Sequence, residues 1–526
     1  MRARPDTSGG RSDCKRDTRR LAPEASRNPI QIDPRPDPSM PSTVILWLRR
    51  DLRLDDNPAL HAALDDCDRL VPVYIHDPDA EAPWAPGAAS RWWLHGSLSS
   101  LDQALKARGT GLLIARGDSL AELRRIVAAT GATRIHWNRL YDPTTRERDG
   151  RIKQALRADG LRVDSHNASV LFEPWEIATG NGEPYRVFTA FWRRCTARLS
   201  EVPPLPAPAA LPPPPESLVS LPLESLGLLP SIPWDMGLGE AWTPGETAAL
   251  EQARTFVQDR IQGYAGERDL PAQAGTSKLS PHLHFGEVGP RRILAMVKER
   301  WGDPTSDPVE PFVREIGWRE FAHHLIYHYP HTTDEPLDRR FAALPWREVD
   351  ADRMLRAWQR GETGIPLVDA GMRQLWHTGW MHNRVRMVVA SFLTKNLRLP
   401  WQAGARWFWD TLVDADLAAN SLGWQWSAGC GADAAPYFRI FNPVLQGERF
   451  DKSGAYVRRW CPELARLPEK YIHQPWAAPA VLLDHAGVRI GRDYPAPIVD
   501  LKASREAALA AYEVVKAQQT MAAGMA

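Results

Sequence analysis

The chain has 526 residues, more than a single hydrophobic core usually serves, which predicts two or three domains. Its 65 basic and 64 acidic residues leave a net charge of +1, so nucleic acid could be held only by a local basic patch and not by a global field. No apolar run of about 18 residues and no signal-peptide core occurs, and Cys14, Cys67, Cys195, Cys430 and Cys461 form neither a C-x-x-C pair nor a disulfide framework; membrane insertion and secretion are not expected, and a reducing, cytoplasmic compartment is.

Residues 1–42 are rich in Arg, Asp, Pro and Ser without hydrophobic periodicity, which predicts a disordered leader. Asp6, Asp13, Asp17 and Glu24 make it too acidic for a usual transit peptide, and Met40 offers an alternative start. From Thr43 the runs VILWLRR, LVPVYIHD, GLLIARGD and RIHWNRLYD alternate with helical stretches such as SLAELRRIVAATG. Strands alternating with helices predict a doubly wound, parallel α/β domain over residues 43–172. No G-x-G-x-x-G follows the first strand, and the near match at Gly429–Ala434 has no strand pattern ahead of it. Residues 173–242 contain VPPLPAPAALPPPPE, too proline-rich for a helix or central strand, and read as an interdomain connector. Thr243-Pro-Gly-Glu then signals a helix start, with Leu250, Ala253, Phe256, Val257, Ile261 and Tyr264 on one face. Amphipathic stretches continue, predicting an all-α domain over residues 243–511 and a short tail at 512–526.

Four segments of the helical half carry candidate chemistry. Gly275-Thr-Ser-Lys-Leu-Ser-Pro offers backbone N–H groups, hydroxyls and a cation ahead of a helix-starting proline, suited to a phosphate, although a plain capping turn fits as well. Glu315, Trp318 and Arg319 fall at i, i+3 and i+4 on one helical face, where they could hold a flat polar ligand or simply form a surface ion pair over a core tryptophan. In GWMHNRVRM, Asn383, Arg384 and Met387 share a face while Arg386 points elsewhere; arginines beside the apolar run MVVASFL need partners, and Asp414 and Asp416 are candidates. Trp424 and Trp426 sit two residues apart, about 200° around a helix, so they should face different surroundings. The chain holds 22 tryptophans against 11 tyrosines, most of the former after Trp301, more than bulk packing needs.

Together these segments carry a resemblance. WLRRDLRLDDNPAL, GTSKLSPHLHFGE, TGIPLVDAGMRQL, TGWMHNRVRM, DADLAANSLGWQW and GADAAPYFRIFNP stand in order over about residues 43–511 and closely resemble the photolyase and cryptochrome family, most of all its class I cyclobutane-dimer branch. The resemblance implies an antenna-type α/β domain and an all-α domain holding a U-shaped FAD. It implies that Tyr264 and the loop Thr276, Ser277, Lys278, Leu279 and Ser280 hold the phosphates and ribityl, and that Asp414 and Asp416 meet the flavin with Arg386 paired to Asp414. Asn420 would face flavin N5, while Trp424, Trp401 and Trp346 would form an electron-transfer chain that photoreduces FAD.

The same resemblance implies light-driven DNA repair. A pyrimidine dimer would be flipped from the duplex, as photolyases do among base-flipping enzymes. Trp318 and Trp426 would wall the pocket, Glu315 and Asn383 would bond the base edges, and Met387 would pack on the dimer. Excited FADH⁻ would donate an electron, the cyclobutane ring would split, and the electron would return. Arg268, Arg319, Arg384 and Gln446 would meet the DNA or the pocket rim, with affinity falling as salt rises. A monomer is expected. A (6-4) photolyase would carry histidines where Asn383 and Met387 stand; a cryptochrome would be a photoreceptor; a generic aromatic nucleic-acid binder would not account for the flavin loop and the aspartates together. For the antenna, 8-hydroxy-5-deazaflavin and 5,10-methenyltetrahydrofolate both stay open: Thr144 and Thr145 depart from the folate-binding pattern, and Gly87-Ala-Ala-Ser-Arg-Trp is closer to deazaflavin-binding relatives. Lys278 stands where relatives often have arginine, which keeps the charge and loses bidentate geometry.

Overall fold

In a computed structural model, described for residues 41–199, 203–434 and 439–524, the first strands follow the apolar runs closely. The leader expected at 1–42 lies almost wholly outside the described residues. Strands β1 (Thr43–Leu48), β2 (Arg69–His76), β3 (Leu113–Arg116), β4 (Arg134–Asn138) and β5 (Arg162–His166) form one parallel sheet in the order β3-β2-β1-β4-β5. Central β1 is apolar from Val44 to Leu48 because both its faces are covered: Val44, Leu46 and Leu48 pack into one core, Ile45 and Trp47 into the other. β5 did not stand out among the apolar runs, since RVDSH is a short edge strand with only Val163 deeply buried. The strand order reverses between β1 and β4, so the crevice beyond their carboxyl ends is a switch point, bordered by Arg49 and Arg50 after β1 and by Tyr141 and Asp142 after β4.

The proline-rich connector does not swing free. Its backbone is pinned along the sheet half: Leu70 N–H donates to the Pro213 carbonyl, Leu211 N–H to Arg108 and Leu221 N–H to Ile114. Leu211, Leu226 and Leu228 bury themselves in the core beside β1. The connector also contains the helices Phe188–Thr196 and Met236–Ala241, and Phe188, Phe191 and Trp192 of the first pack among the helices that follow. From Glu246 onward the described chain is helical. The final helix runs Leu501–Gly524, so the boundary expected at Ala511 falls inside it; Ala508, Ala511 and Val515 pack on the main helical core and carry the helix onward.

One buried carboxylate ties the two halves together. Glu287 is fully buried and accepts from Trp93 Nε1 at 3.1 Å, Ser97 Oγ at 2.5 Å, the Gly245 amide at 2.7 Å and His282 Nδ1 at 2.5 Å. Its donors come from the helix Ala88–Lys106 of the sheet half and from the start of the helical half. A Glu287→Leu substitution strands these donors without acceptors and is expected to cost about 3–5 kcal/mol, read as a lowered urea midpoint with the slope of the transition unchanged.

Candidate active site

The acidic turn before Trp424 sets the site. Asp416 caps the helix Leu417–Ala428, its Oδ1 accepting from Ala419 N–H at 2.8 Å, and Gly429 at φ 87° ends it. The second oxygen of Asp416 faces His284 Nδ1 and His323 Nε2, each at 3.6 Å. Burial works against the charge of Asp416, but these histidines outweigh it and hold the carboxyl well below its usual range. Asp414, two residues earlier, receives both ends of a bidentate contact from Arg386 Nη2, at 3.0 and 2.8 Å, while Arg386 Nε donates to the Met381 carbonyl at 2.7 Å. The partner expected for Arg386 is therefore the one it has.

These groups border a cavity of about 520 Å³ between helices Glu310–His328, Asn383–Ser391, Trp401–Thr411 and Leu417–Ala428. It collects Glu315, Trp318, Arg319, Asn383, Arg386, Met387, Asp414, Asp416, Asn420, Trp424 and Trp426, along with Arg268 and Ser280. Arg386 reaches the cavity together with Asn383 and Met387, although its position on the helix differs, because its long side chain spans the gap. Trp424 and Trp426 do sit on a helix, yet both rings border this one cavity. Their settings still diverge: Trp424 is buried against Phe408 at 5.0 Å and Trp358 at 6.1 Å, whereas Trp426 is half-exposed. Asn420 Nδ2 donates to the Ala405 carbonyl at 3.0 Å, which leaves the amide oxygen available to accept.

Other expected residues stand near but are turned elsewhere. Arg319 lines the cavity while its Nη1 donates to the Ser169 carbonyl at 2.5 Å. Arg384 lies outside the lining, bidentate on Asp269 at 2.8 and 3.2 Å and 4.4 Å from the Phe450 ring. Gln446 is also outside it, with a buried Oε1 that has no partner. Trp401 and Trp346 pack into the same apolar core as Trp424. Tyr264 is buried against Phe256 and Phe312. In the loop after Gly275, Thr276 and Ser277 are half-buried, Leu279 is buried, Ser277 Oγ accepts from Leu279 N–H at 3.4 Å, and Lys278 takes a left-handed φ of 54°. Three contributors escaped sequence reasoning: Phe188, stacked on Trp318 at 3.8 Å and 7° from the distant connector, and His284 and His323 on Asp416. No local spacing announces them, since all three meet their partners only through the tertiary fold.

The residues fit a flavin dinucleotide on structural grounds. Burial and the neighbouring charges of Arg260 and Arg459 push the Lys278 ammonium pKa down, and an anion bound beside these cations would offset that. The Trp380 ring lies 5.7 Å from the Lys278 ammonium and 5.9 Å from the Arg386 guanidinium, which links the cluster to the cavity wall. Buried Trp424 Nε1 is unpartnered at the cavity edge.

Two family models match the chain: "DNA photolyase" over residues 44–211 and "FAD binding domain of DNA photolyase" over residues 312–514. A deoxyribodipyrimidine photo-lyase of Agrobacterium fabrum is 48% identical over 90% of this chain and 98% of its own length. The chain belongs to the DNA photolyase and cryptochrome family. Cryptochrome-1 of Arabidopsis thaliana is 42% identical over 87% of this chain and 68% of its own length. Among solved structures, a class III photolyase from Agrobacterium tumefaciens superposes with a TM-score of 0.87 at 47% identity, covering 91% of this chain and 98% of that one, and a Synechocystis cryptochrome with 0.81 at 32%, covering 89% and 98%. The expected class I likeness thus stands beside a class III structure; the matches establish the family.

Within this photolyase and cryptochrome fold, Trp424 is fixed by a close approach. A Cβ on Gly404 would lie 2.1 Å from Trp424 Cη2, so no side chain fits there while the indole keeps its place. Gly404→Ala should cost about 1–3 kcal/mol through overpacking and change the near-ultraviolet circular dichroism of the tryptophans; an unchanged spectrum and midpoint would show that the indole is not held by this contact.

Proposed function

We propose that this chain is a light-driven DNA repair lyase that splits cyclobutane pyrimidine dimers, the deoxyribodipyrimidine photo-lyase reaction. The observation that carries this reading is one cavity that presents Glu315, Asn383, Met387, Trp318 and Trp426 alongside Asn420 and the Arg386–Asp414 pair. A dimer flipped from the duplex would be received between apolar indole faces, with Trp318 braced from behind by Phe188. Glu315, whose carboxyl is pushed up by burial, would accept from the base edges, and Asn383 would complete the polar contacts. Met387 would pack on the dimer.

Bound reduced FAD would supply, on blue-light excitation, the electron that opens the cyclobutane ring and is afterwards regained, so the reaction has no net redox change. The protein's part is to hold and orient. Tyr264 and the loop Thr276 to Ser280 would bind the phosphates, with Lys278, Arg260 and Arg459 matching their charge. The free amide oxygen of Asn420 would accept a ring N–H, Arg386 would balance negative charge on the ring, and Asp416 would fix its polar edge. Trp424, Trp401 and Trp346 would pass electrons inward. Arg268, Arg319, Arg384 and Gln446 would serve the DNA side. Asn383 and Met387, in place of histidines, favour cyclobutane dimers over (6-4) photoproducts. The 42% identity to a plant cryptochrome supports photoreception as the second reading.

Blue-light-dependent loss of thymine dimers from a short oligonucleotide tests the proposal. Repair is expected in light and not in the dark, and Glu315→Ala should lower it about tenfold or more, a loss of about 1.4 kcal/mol or more of transition-state stabilisation. Trp424→Phe should stop photoreduction of oxidised FAD yet leave repair by chemically reduced enzyme intact. Absorption beyond that of FAD would reveal a deazaflavin or folate antenna. Photoreducible FAD without repair would sink the repair reading and leave the photoreceptor.

A further inference from the structure

The lip of the cavity carries two ion pairs built from neighbouring residues. Arg268 Nη1 meets Glu315 Oε1 at 2.6 Å, and Asp269, the next residue, holds Arg384 at 2.8 Å. Both arginines belong to the set assigned to DNA, and both are spoken for by carboxylates in the DNA-free protein. The pairs differ in one respect. Arg268 and Glu315 both line the cavity, whereas neither Asp269 nor Arg384 does. A base entering the cavity therefore meets the acceptor of the first pair and not that of the second.

Arginine binds carboxylate and phosphate through the same planar fork, so a guanidinium engaged by one is withheld from the other. Glu315 is half-buried, and its carboxylate needs a donor; with the pocket empty, Arg268 provides it. Once the N–H groups of a flipped base lie against Glu315, that need is met from the substrate side. We propose that Arg268 is a lesion-gated phosphate contact: Glu315 holds it while undamaged duplex lies on the lip and releases it to the DNA backbone when a dimer fills the pocket. This rests on the repair reading above and adds a specificity device to it. The damaged complex gains one phosphate contact that the undamaged complex lacks, so discrimination comes partly from the backbone. Asp269–Arg384 provides the ungated counterpart, an exchange of carboxylate for phosphate made equally in both complexes.

Each phosphate neutralised steepens the dependence of log affinity on log salt by about 0.9. The test measures binding of FAD-loaded full-length protein in the dark, over a range of salt concentrations, to one short duplex with and without a single cyclobutane thymine dimer. Wild type should show a slope steeper by about 0.9 on the damaged duplex. In Glu315→Gln, Arg268 is free in both complexes, so the undamaged slope should rise to meet the damaged one. In Arg268→Gln, the damaged slope should fall to the undamaged one. In Asp269→Asn, both affinities should rise by a similar factor with the difference in slope retained. Equal slopes in wild type, a comparison that needs no variant to fold, overturn the proposal, as does a difference that persists in Arg268→Gln. A repair assay on the same wild-type preparation separates the two claims: absence of repair sinks the functional reading, while repair with equal slopes sinks only the gate.

Discussion

A helical core kept open by about 520 Å³ is the condition on which the rest of this structure depends. Protein interiors close to crystal-like density, and a space of that size survives only where its walls cannot collapse. The bidentate Arg386–Asp414 pair provides one rigid wall, because separating it would leave a charge without its partner in low dielectric. Asp416 provides the next, its two oxygens divided between the helix N-terminus and a pair of histidines. Since Asp416 decides where the helix Leu417–Ala428 begins, it also decides which residues of that helix reach the cavity. Asn420, Trp424 and Trp426 are placed by a cap four to ten residues upstream.

The opposite wall is anchored on the sheet half. Three consecutive residues divide the labour: Trp318 faces the cavity, Arg319 donates to the Ser169 carbonyl, and Glu320 accepts from the Leu171 and Phe172 amides at 2.7 and 3.3 Å. Burial pushes the Glu320 carboxyl up to about 7, so its charge near neutrality relies on the neighbouring Arg319 guanidinium and on these amides. The connector contributes as well, since Gly317 lies so close to Trp192 that a Cβ there would stand 2.5 Å from the ring, and Phe188 backs Trp318. The Trp318 side of the cavity is thus positioned from the sheet half and the connector, and the Asp414–Asp416 side from within the helical half.

What the sequence made legible follows from the range of the interactions involved. Apolar runs marked four strands, edge strand β3 among them because Leu113, Ile114 and Ala115 are all buried; β5, at the other edge, escaped because only Val163 of RVDSH is deeply buried. The pair Arg386–Asp414 and the capped helix at Asp416 were readable since side-chain chemistry and helical spacing limit the options locally. Phe188, His284 and His323 were not, because each reaches its partner across 93 to 132 residues of chain, and only the fold brings them together. The ion pairs that occupy Arg268 and Arg384 were hidden for a related reason: a sequence shows that an arginine is present and not whether a carboxylate already holds it.

The two tryptophans show how spacing and packing share control. Two residues of helix separate their directions by about 200°, and alone this places them in unrelated surroundings. Large indoles on a slim helix bridge that angle, so both meet one broad cavity while their backs rest on different material. Trp424 is clamped by Gly404, Phe408 and Trp358, which suits a ring that must keep a fixed relation to its neighbours. Trp426 is half-exposed and free to be covered by what enters. One short segment, Trp-Gln-Trp, thereby serves an immobile inner wall and an accessible outer one, with Gln425 between them turned away to bond the Thr332 and Glu335 carbonyls at 2.7 and 2.9 Å.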